Sequence, residues 1–100
     1  MAKYKLTNKA VDDLARIWNY TFDNWSENQA DKYYHMLLEN CNEVANNPES
    51  GKNYSAVIEN LLGFKAGSHI IFYRMIEENE VEIIRILHEQ MDLKNRIKEK

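Results

Sequence analysis

A single cysteine, a single proline and three glycines are spread over 100 residues. Cys41 alone can close no internal disulfide and build no cysteine-rich zinc site, and a lone thiol suits a reducing compartment. So little proline and glycine leaves few places to break regular structure, and no repeat or low-complexity linker is present, so disorder is not expected. Long apolar runs are missing too. The stretch Ile70-Ile71-Phe72-Tyr73 falls far short of the roughly 18 to 20 residues that cross a bilayer. Met1 to Leu6 carries charge without the apolar run of an export signal, so a cytoplasmic location and no membrane partner are expected. Positive charge is not in excess either: thirteen basic against sixteen acidic side chains give −3 with histidine neutral. That balance argues against a protein that coats nucleic acid, and strong direct nucleic-acid binding is not expected. No glycine-rich phosphate loop, nucleophile elbow or His-Glu-x-x-His helix occurs, so neither a cofactor nor a metal is expected.

What is present is core material, 44% hydrophobic and 11% aromatic residues, in a length that suits one domain over 1–100. Residues 1–6 read as a strand, and Thr7 or Asn8 can cap a helix. Val11, Leu14, Ala15, Trp18, Phe22 and Trp25 then recur at helical spacing, which predicts the buried stripe, with Asp12, Asp13, Arg16 and Asn19 on the polar side. Ser26-Glu27-Asn28-Gln29 matches a capping box. It opens a second helix with the stripe Ala30, Tyr33, Tyr34, Leu37, Cys41, Val44 and Ala45, and Asn47-Pro48 ends it. An antiparallel helical hairpin over 8–46 follows.

Residues 47–58 read as an exposed loop with room for a short helical turn. From 61 to 88 the period changes and β-branched residues accumulate. Strands are expected at 61–66, 69–76 and 81–88, with Gly67-Ser68 and residues 77–80 as turns, a three-stranded antiparallel meander. A four-residue connection at 77–80 would set Ile76 opposite Val81, Arg74 opposite Ile83 and Phe72 opposite Arg85. Both sheet faces then come out substantially apolar; the helices can cover one, and pattern alone does not say which. The segment 89–100 reads as a tail or short helix. Its last ten residues hold four basic and two acidic side chains, a local +2 that leaves −5 for the first ninety. The fold class is α+β.

Several residues carry potential chemistry. His69 and His88 face each other in the expected register, but two imidazoles without a third ligand make a poor zinc site, and a hydrogen-bonded pair at the sheet end is the better reading. Arg74 and Arg85 could hold a carboxylate or phosphate, or pair with carboxylates such as Glu82, Asp92 or one from a helix. Trp18, Trp25, Tyr33 and Tyr34 sit at helical spacing, which favours core packing over a base-stacking platform. Cys41 reads as a small buried hydrophobe and His35 as a surface residue.

The order of elements joins with a series of short words: Leu6-Thr7 leading to Ala10, Asp13-Leu14, Ile17-Trp18, Tyr20, and Trp25 through Gln29-Ala30-Asp31-Lys32-Tyr33-Tyr34. Asn47-Pro48 with Gly51, Gly67-Ser68-His69-Ile70-Ile71-Phe72-Tyr73-Arg74 and Val81-Glu82-Ile83-Ile84-Arg85-Ile86-Leu87-His88 follow, the last running into Met91-Asp92-Leu93. Over residues 3–94 the sequence resembles the RelE/ParE superfamily of type II toxin-antitoxin toxins, and within it the ParE branch. The resemblance implies a toxin neutralised by a cognate, ParD-like antitoxin and, in the ParE branch, one that poisons DNA gyrase. RelE-like relatives instead cut mRNA on the ribosome, and a member that has lost toxicity would survive as a binding module.

An RNA-cutting relative needs several cations and a tyrosine or histidine near the end of the last strand. Here that region is His88-Glu89-Gln90-Met91-Asp92 in an acidic chain. His88 is the candidate only under that alternative, and gyrase poisoning by binding, without catalysis, is favoured. Trp18, Phe72, Arg74 and Arg85 are the expected antitoxin contacts, on an uncovered sheet surface and a groove of the first helix. Lys52, Asn53, Tyr54, Lys94, Arg96 and Lys98 are the expected target contacts.

Overall fold

The computed structural model describes residues 2–91 and 97. Strand β1 (Lys3–Leu6) leads into helix α1 (Asn8–Asn24) and helix α2 (Glu27–Asn46), and a 3₁₀ turn (Pro48–Ser50) follows. Then come β2 (Lys52–Asn53), β3 (Leu62–Ala66), β4 (His69–Glu77) and β5 (Glu80–His88). The expected α+β class holds. The sheet has five strands in the order β1-β5-β4-β3-β2, because Lys52 and Asn53, read from sequence as loop, pair with Gly63 and Leu62. Two residues are too short a run to show an alternation. β1 lies parallel to β5, Lys3 beside Glu80 and Leu6 beside Ile83. No helix among the described residues is long and apolar enough to cross a membrane. The expected tail helix falls almost entirely outside the described residues.

Both helix starts follow from capping chemistry. Thr7 Oγ1 accepts from the Ala10 amide at 3.1 Å and Ser26 Oγ accepts from the Gln29 amide at 3.1 Å, each satisfying a donor the helix itself leaves open. The Thr7 hydroxyl also donates to the Ile84 carbonyl at 2.8 Å. That carbonyl sits at a bulge. β4 and β5 pair in the expected register from His69–His88 to Phe72–Arg85, but Tyr73 then faces Ile83, which leaves Ile84 as an extra residue; Ile76 is a second one on β4. Arg74 therefore lies opposite Glu82 rather than Ile83. An extra residue reverses the side-chain alternation of everything beyond it. That is how Val81 and Ile83 come to face the helices although Phe72 does not.

The helix-facing core joins Ala10, Leu14, Leu37, Cys41, Val44 and Ala45 to Ile71, Tyr73, Val81, Ile83 and Ile86. The opposite sheet face is also covered: Leu61, Ile70, Phe72, Leu87 and Ile97 are buried together, with Tyr54, Val57 and Ile58 packed on them. The expectation of an uncovered apolar sheet surface is corrected here. The segment after β2 folds back over it, with Tyr54 edge to face on Phe72 at 5.1 Å between ring centroids.

The stripe expected to bury α1 is corrected as well. The residues turned inward are Ala10, Asp13, Leu14 and Thr21, with Ile17 partly buried beside them. Val11 and Phe22 are almost half exposed, and Trp25, the residue that ends α1, is 75% exposed. Two polar residues on the inner face hid it from a hydrophobicity reading. Both are satisfied: the Thr21 hydroxyl donates to the Ile17 carbonyl at 2.8 Å, and Asp13 meets Arg85.

Candidate functional site

Turning α1 by one residue leaves Val11, Ala15, Trp18 and Phe22 along its outer side at spacings of four, three and four, the seam by which a helix packs against another helix. With Leu6 from β1, Leu14 and Asn19 from α1 and Tyr34 from α2, the upper part of this seam lines a groove of about 340 Å³. Trp18 is held in place. Its ring stacks on Phe22 with centroids 5.2 Å apart and an interplanar angle of 14°, and its indole N–H donates to Asp31 Oδ1 on α2 at 3.0 Å. An aromatic side chain fixed in this way loses little entropy when a partner covers it. Trp25 is exposed at the α1–α2 turn, and Tyr20, also exposed, points away from the seam because it lies two residues from both Trp18 and Phe22.

The other residues expected to touch an antitoxin do not gather at this groove. Phe72 is fully buried on the far sheet face. Arg85 is buried under α1, its Nε 2.8 Å from Asp13 Oδ2 and its Nη2 3.0 Å from Asp13 Oδ1. Asp13 Oδ2 also accepts from the Ile86 amide at 3.0 Å. Asp13, expected on the solvated face of α1, is thus an inward-facing carboxylate whose acceptors are used. Arg74 is exposed on the sheet and its Nε donates to Glu82 Oε1 at 2.9 Å. Bulge-shifted pairing places those two directly opposite one another.

Of the residues expected to touch a target, Lys52 and Asn53 are exposed on edge strand β2, with the Lys52 ammonium 5.9 Å from the centre of the Tyr54 ring. The Tyr54 ring faces inward onto Phe72. Asn53 Oδ1 accepts from the Ser55 amide at 2.7 Å, which tightens the chain as it leaves the strand. Lys94, Arg96 and Lys98 lie outside the described residues.

A second constellation forms where β4 begins and β5 ends. His69 and His88 are opposite each other, as the register predicts, with rings edge to face and centroids 5.3 Å apart. Tyr33 reaches this corner from α2, a residue that sequence reading placed in the core. Its oxygen accepts from the Ser68 amide at 3.0 Å and lies 2.6 Å from His69 Nδ1. Burial and the neighbouring His88 together lower the pKa of His69 to about 4, so its ring is neutral at pH 7. Burial raises the Tyr33 pKa, so the phenol keeps its proton. His88 Nδ1 accepts from the Gln90 amide at 3.1 Å. No group of three or more His, Cys, Asp or Glu side chains among the described residues could hold a metal ion. Cys41 is fully buried on the inner face of α2, and burial pushes its thiol up to about 12.

Comparison with known proteins gives consistent results. Residues 4–93 match the family model described as "ParE toxin of type II toxin-antitoxin system, parDE". The chain is 33% identical to Toxin ParE1 of Mycobacterium tuberculosis and 34% identical to Toxin ParE1 of Caulobacter vibrioides, each over 92 residues, 92% of this chain and 94% of the relative. Among solved structures, a chain of the chromosomal ParDE system from P. aeruginosa superposes with a TM-score of 0.74 at 19% identity, covering 88% of this chain and 96% of that one.

Proposed function

The chain belongs to the ParE toxin family of type II toxin-antitoxin systems, and on that premise we propose that it arrests growth by poisoning DNA gyrase and is neutralised by a cognate, ParD-like antitoxin. The observation that carries the antitoxin half is the outer seam of α1. Val11, Ala15, Trp18 and Phe22 stand in line at helical spacing beside a groove of about 340 Å³, with Val11 and Phe22 almost half exposed. An amphipathic helix of the antitoxin, laid with its apolar side on Trp18, would cover them. Of the other antitoxin contact candidates, Arg74 is at the surface, though not at the groove, while Phe72 and Arg85 are buried.

We assign the toxic action to binding rather than to catalysis. His88, which an RNA-cutting relative would use, has Nδ1 engaged by the Gln90 amide, and the Tyr33 oxygen is engaged by Ser68 and His69. Arg16 is the exposed cation beside His88 among the described residues, fewer than the several cations that holding RNA for cleavage requires. Lys52 and Asn53 on edge strand β2, with the tail cations Lys94, Arg96 and Lys98, are the proposed contacts with gyrase or its DNA; Tyr54 would act by holding that segment on Phe72.

A paired experiment tests the proposal: induce the protein in cells, then measure protein-linked DNA breaks and ribosome-dependent mRNA cleavage. DNA breaks without mRNA cleavage are expected. mRNA cleavage without DNA breaks would select the nuclease alternative, and normal growth at high expression would leave only a binding module. Within the toxin reading, Lys52→Glu combined with charge reversal at Lys94, Arg96 and Lys98 should abolish the breaks and leave antitoxin binding intact.

A further inference from the structure

The corner between β4 and β5 contains a small cleft of about 60 Å³, walled by Ile17, Leu87 and Met91 and open to Arg16, His69 and His88. The hydrogen bonds behind the two histidines decide what the cleft presents. The His88 Nδ1 accepts from a backbone N–H, so its proton is on Nε2. The Tyr33 oxygen accepts from Ser68 and lies 2.6 Å from His69 Nδ1; with the phenol proton directed at that nitrogen, the tautomer assigned from the hydrogen-bond pattern puts the His69 proton on Nε2 as well. Neither Nε2 has a hydrogen-bond partner among the described residues, and the exposed Arg16 makes no ion pair there.

Among the described residues, the carboxylates at the cleft are Asp13, which is part of its lining, and Glu89, and both are already paired. Asp13 is held by Arg85 and the Ile86 amide, and Glu89 pairs with Lys65 at 3.2 Å. The cleft therefore offers two imidazole N–H donors and the exposed Arg16 guanidinium, and the carboxylates among the described residues that reach it are already paired, Asp13 with the buried Arg85. A metal ion is a poor occupant because both rings carry protons on the nitrogens that would coordinate it, and metal-bound histidines ordinarily donate, not accept, at the other nitrogen.

We propose that this cleft binds one carboxylate, carried by an acidic side chain of a protein partner. Three donors around a volume of about 60 Å³ match a single oxyanion, and a guanidinium fork fits the plane of a carboxylate. The apolar walls fit the methylenes of a glutamate or aspartate. A nucleic-acid backbone would bring a run of phosphates against a chain of net charge −3, whereas one carboxylate carries little long-range penalty. Only the identity of the partner, the antitoxin or the target, rests on the toxin reading.

The experiment uses the full chain labelled with 15N at histidine and arginine, at pH 7 and constant ionic strength. It is titrated separately with sodium acetate, inorganic phosphate and a short oligo-dT. Both rings should show an unprotonated Nδ1 and a protonated Nε2. Acetate should shift both Nε2 signals saturably, and Arg16→Ala should weaken that binding about tenfold, with Arg16→Lys in between. Arg16 is exposed on α1, and His88→Gln provides a second variant that should also weaken acetate binding.

A proton on Nδ1 of either ring, no saturable response to acetate, or unchanged acetate binding in both variants would overturn the site. Phosphate or oligo-dT binding the same nitrogens more tightly than acetate would overturn the carboxylate assignment in favour of a phosphate. None of these measurements depends on toxicity, so their failure is separable from failure of the proposed function.

Discussion

Asp13 on α1 and Arg85 on β5 form a two-pronged ion pair, Nε to Oδ2 at 2.8 Å and Nη2 to Oδ1 at 3.0 Å, with both side chains about 5% exposed. The pair joins residues 72 positions apart in sequence and clamps α1 to β5, the strand between β1 and β4. Removing one member leaves the other charge buried, which costs roughly 3–5 kcal/mol in comparable settings, whereas an apolar pair of similar volume can be neutral. Asp13→Ala should therefore strongly lower the urea midpoint, since it also strips the Ile86 amide of its acceptor. Asp13→Leu with Arg85→Met should recover most of the loss. Equal destabilisation by the single and double changes would show that the pair is not the clamp.

Tyr73 makes a second long-range tie. It is fully buried, its hydroxyl donates to the Pro48 carbonyl at 2.7 Å, and burial raises its pKa. Gly51 leaves the space this ring uses, because a Cβ there would collide with the Tyr73 hydroxyl. Tyr73→Phe should cost roughly 1–2 kcal/mol, the penalty for leaving a shielded carbonyl without its donor. Gly51→Ala should cost more, because the ring must move within a packed core. Chemical denaturation of both variants measures this, and the opposite ranking would mean that the 3₁₀ turn shifts freely away from the ring.

How far the sequence could be read depended on whether a residue's role was local. Thr7 and Ser26 cap their helices through hydrogen bonds spanning three residues, and Gly67 takes a φ of 61° in a two-residue turn, so each was legible in a short window. The pairing of His69 with His88 followed from counting back along two strands. The bulge at Ile84 was not legible, because the hydroxyl that takes its carbonyl belongs to Thr7, 77 residues earlier. The inner face of α1 was misassigned for a related reason. Asp13 is polar by composition and becomes core only because Arg85 arrives from β5. Recognising a buried carboxylate on a helix requires knowing its partner, and the signal available was an arginine in an otherwise apolar strand. Tyr33 escaped in the same way: its spacing suited a core stripe, and its hydroxyl found Ser68 and His69 only through the tertiary fold.

The outer seam of α1 yields a direct prediction about neutralisation. Ala15 is exposed in the middle of it, between Val11 and Trp18, so Ala15→Glu adds charge where a partner helix would pack without disturbing the core. The variant should fold normally, keep its toxicity and lose at least about tenfold in antitoxin affinity, since desolvating one unpaired charge at an interface exceeds the 1.4 kcal/mol that a factor of ten requires. Trp18→Ala should act in the same direction and more strongly. The readouts are growth rescue by co-expressed antitoxin and a binding isotherm. Full rescue of Ala15→Glu would remove the groove from the antitoxin interface.

The neutral His69 makes stability depend on pH in a defined window. Burial first, and the neighbouring His88 second, lower its pKa from 6.5 to about 4, while Asp13 and Glu89 push more weakly the other way. Above pH 6.5 the ring is neutral in both the folded and the unfolded chain and contributes no slope. Between pH 6.5 and 4 the unfolded chain takes up a proton that the folded chain refuses, so stability must fall as the pH falls. The full shift would correspond to about 3 kcal/mol, and partial exposure of the ring reduces the expected loss to roughly 1–2 kcal/mol. In His69→Gln, which keeps an acceptor for Tyr33 but has no proton to gain, that part of the slope should vanish. Urea unfolding at pH 7 and pH 4.5 compares the two proteins directly. An unchanged difference between the two pH values in the variant would assign the slope to carboxylates elsewhere in the chain, whereas its reduction by about the stated amount would place the titrating ring at the Tyr33 hydroxyl.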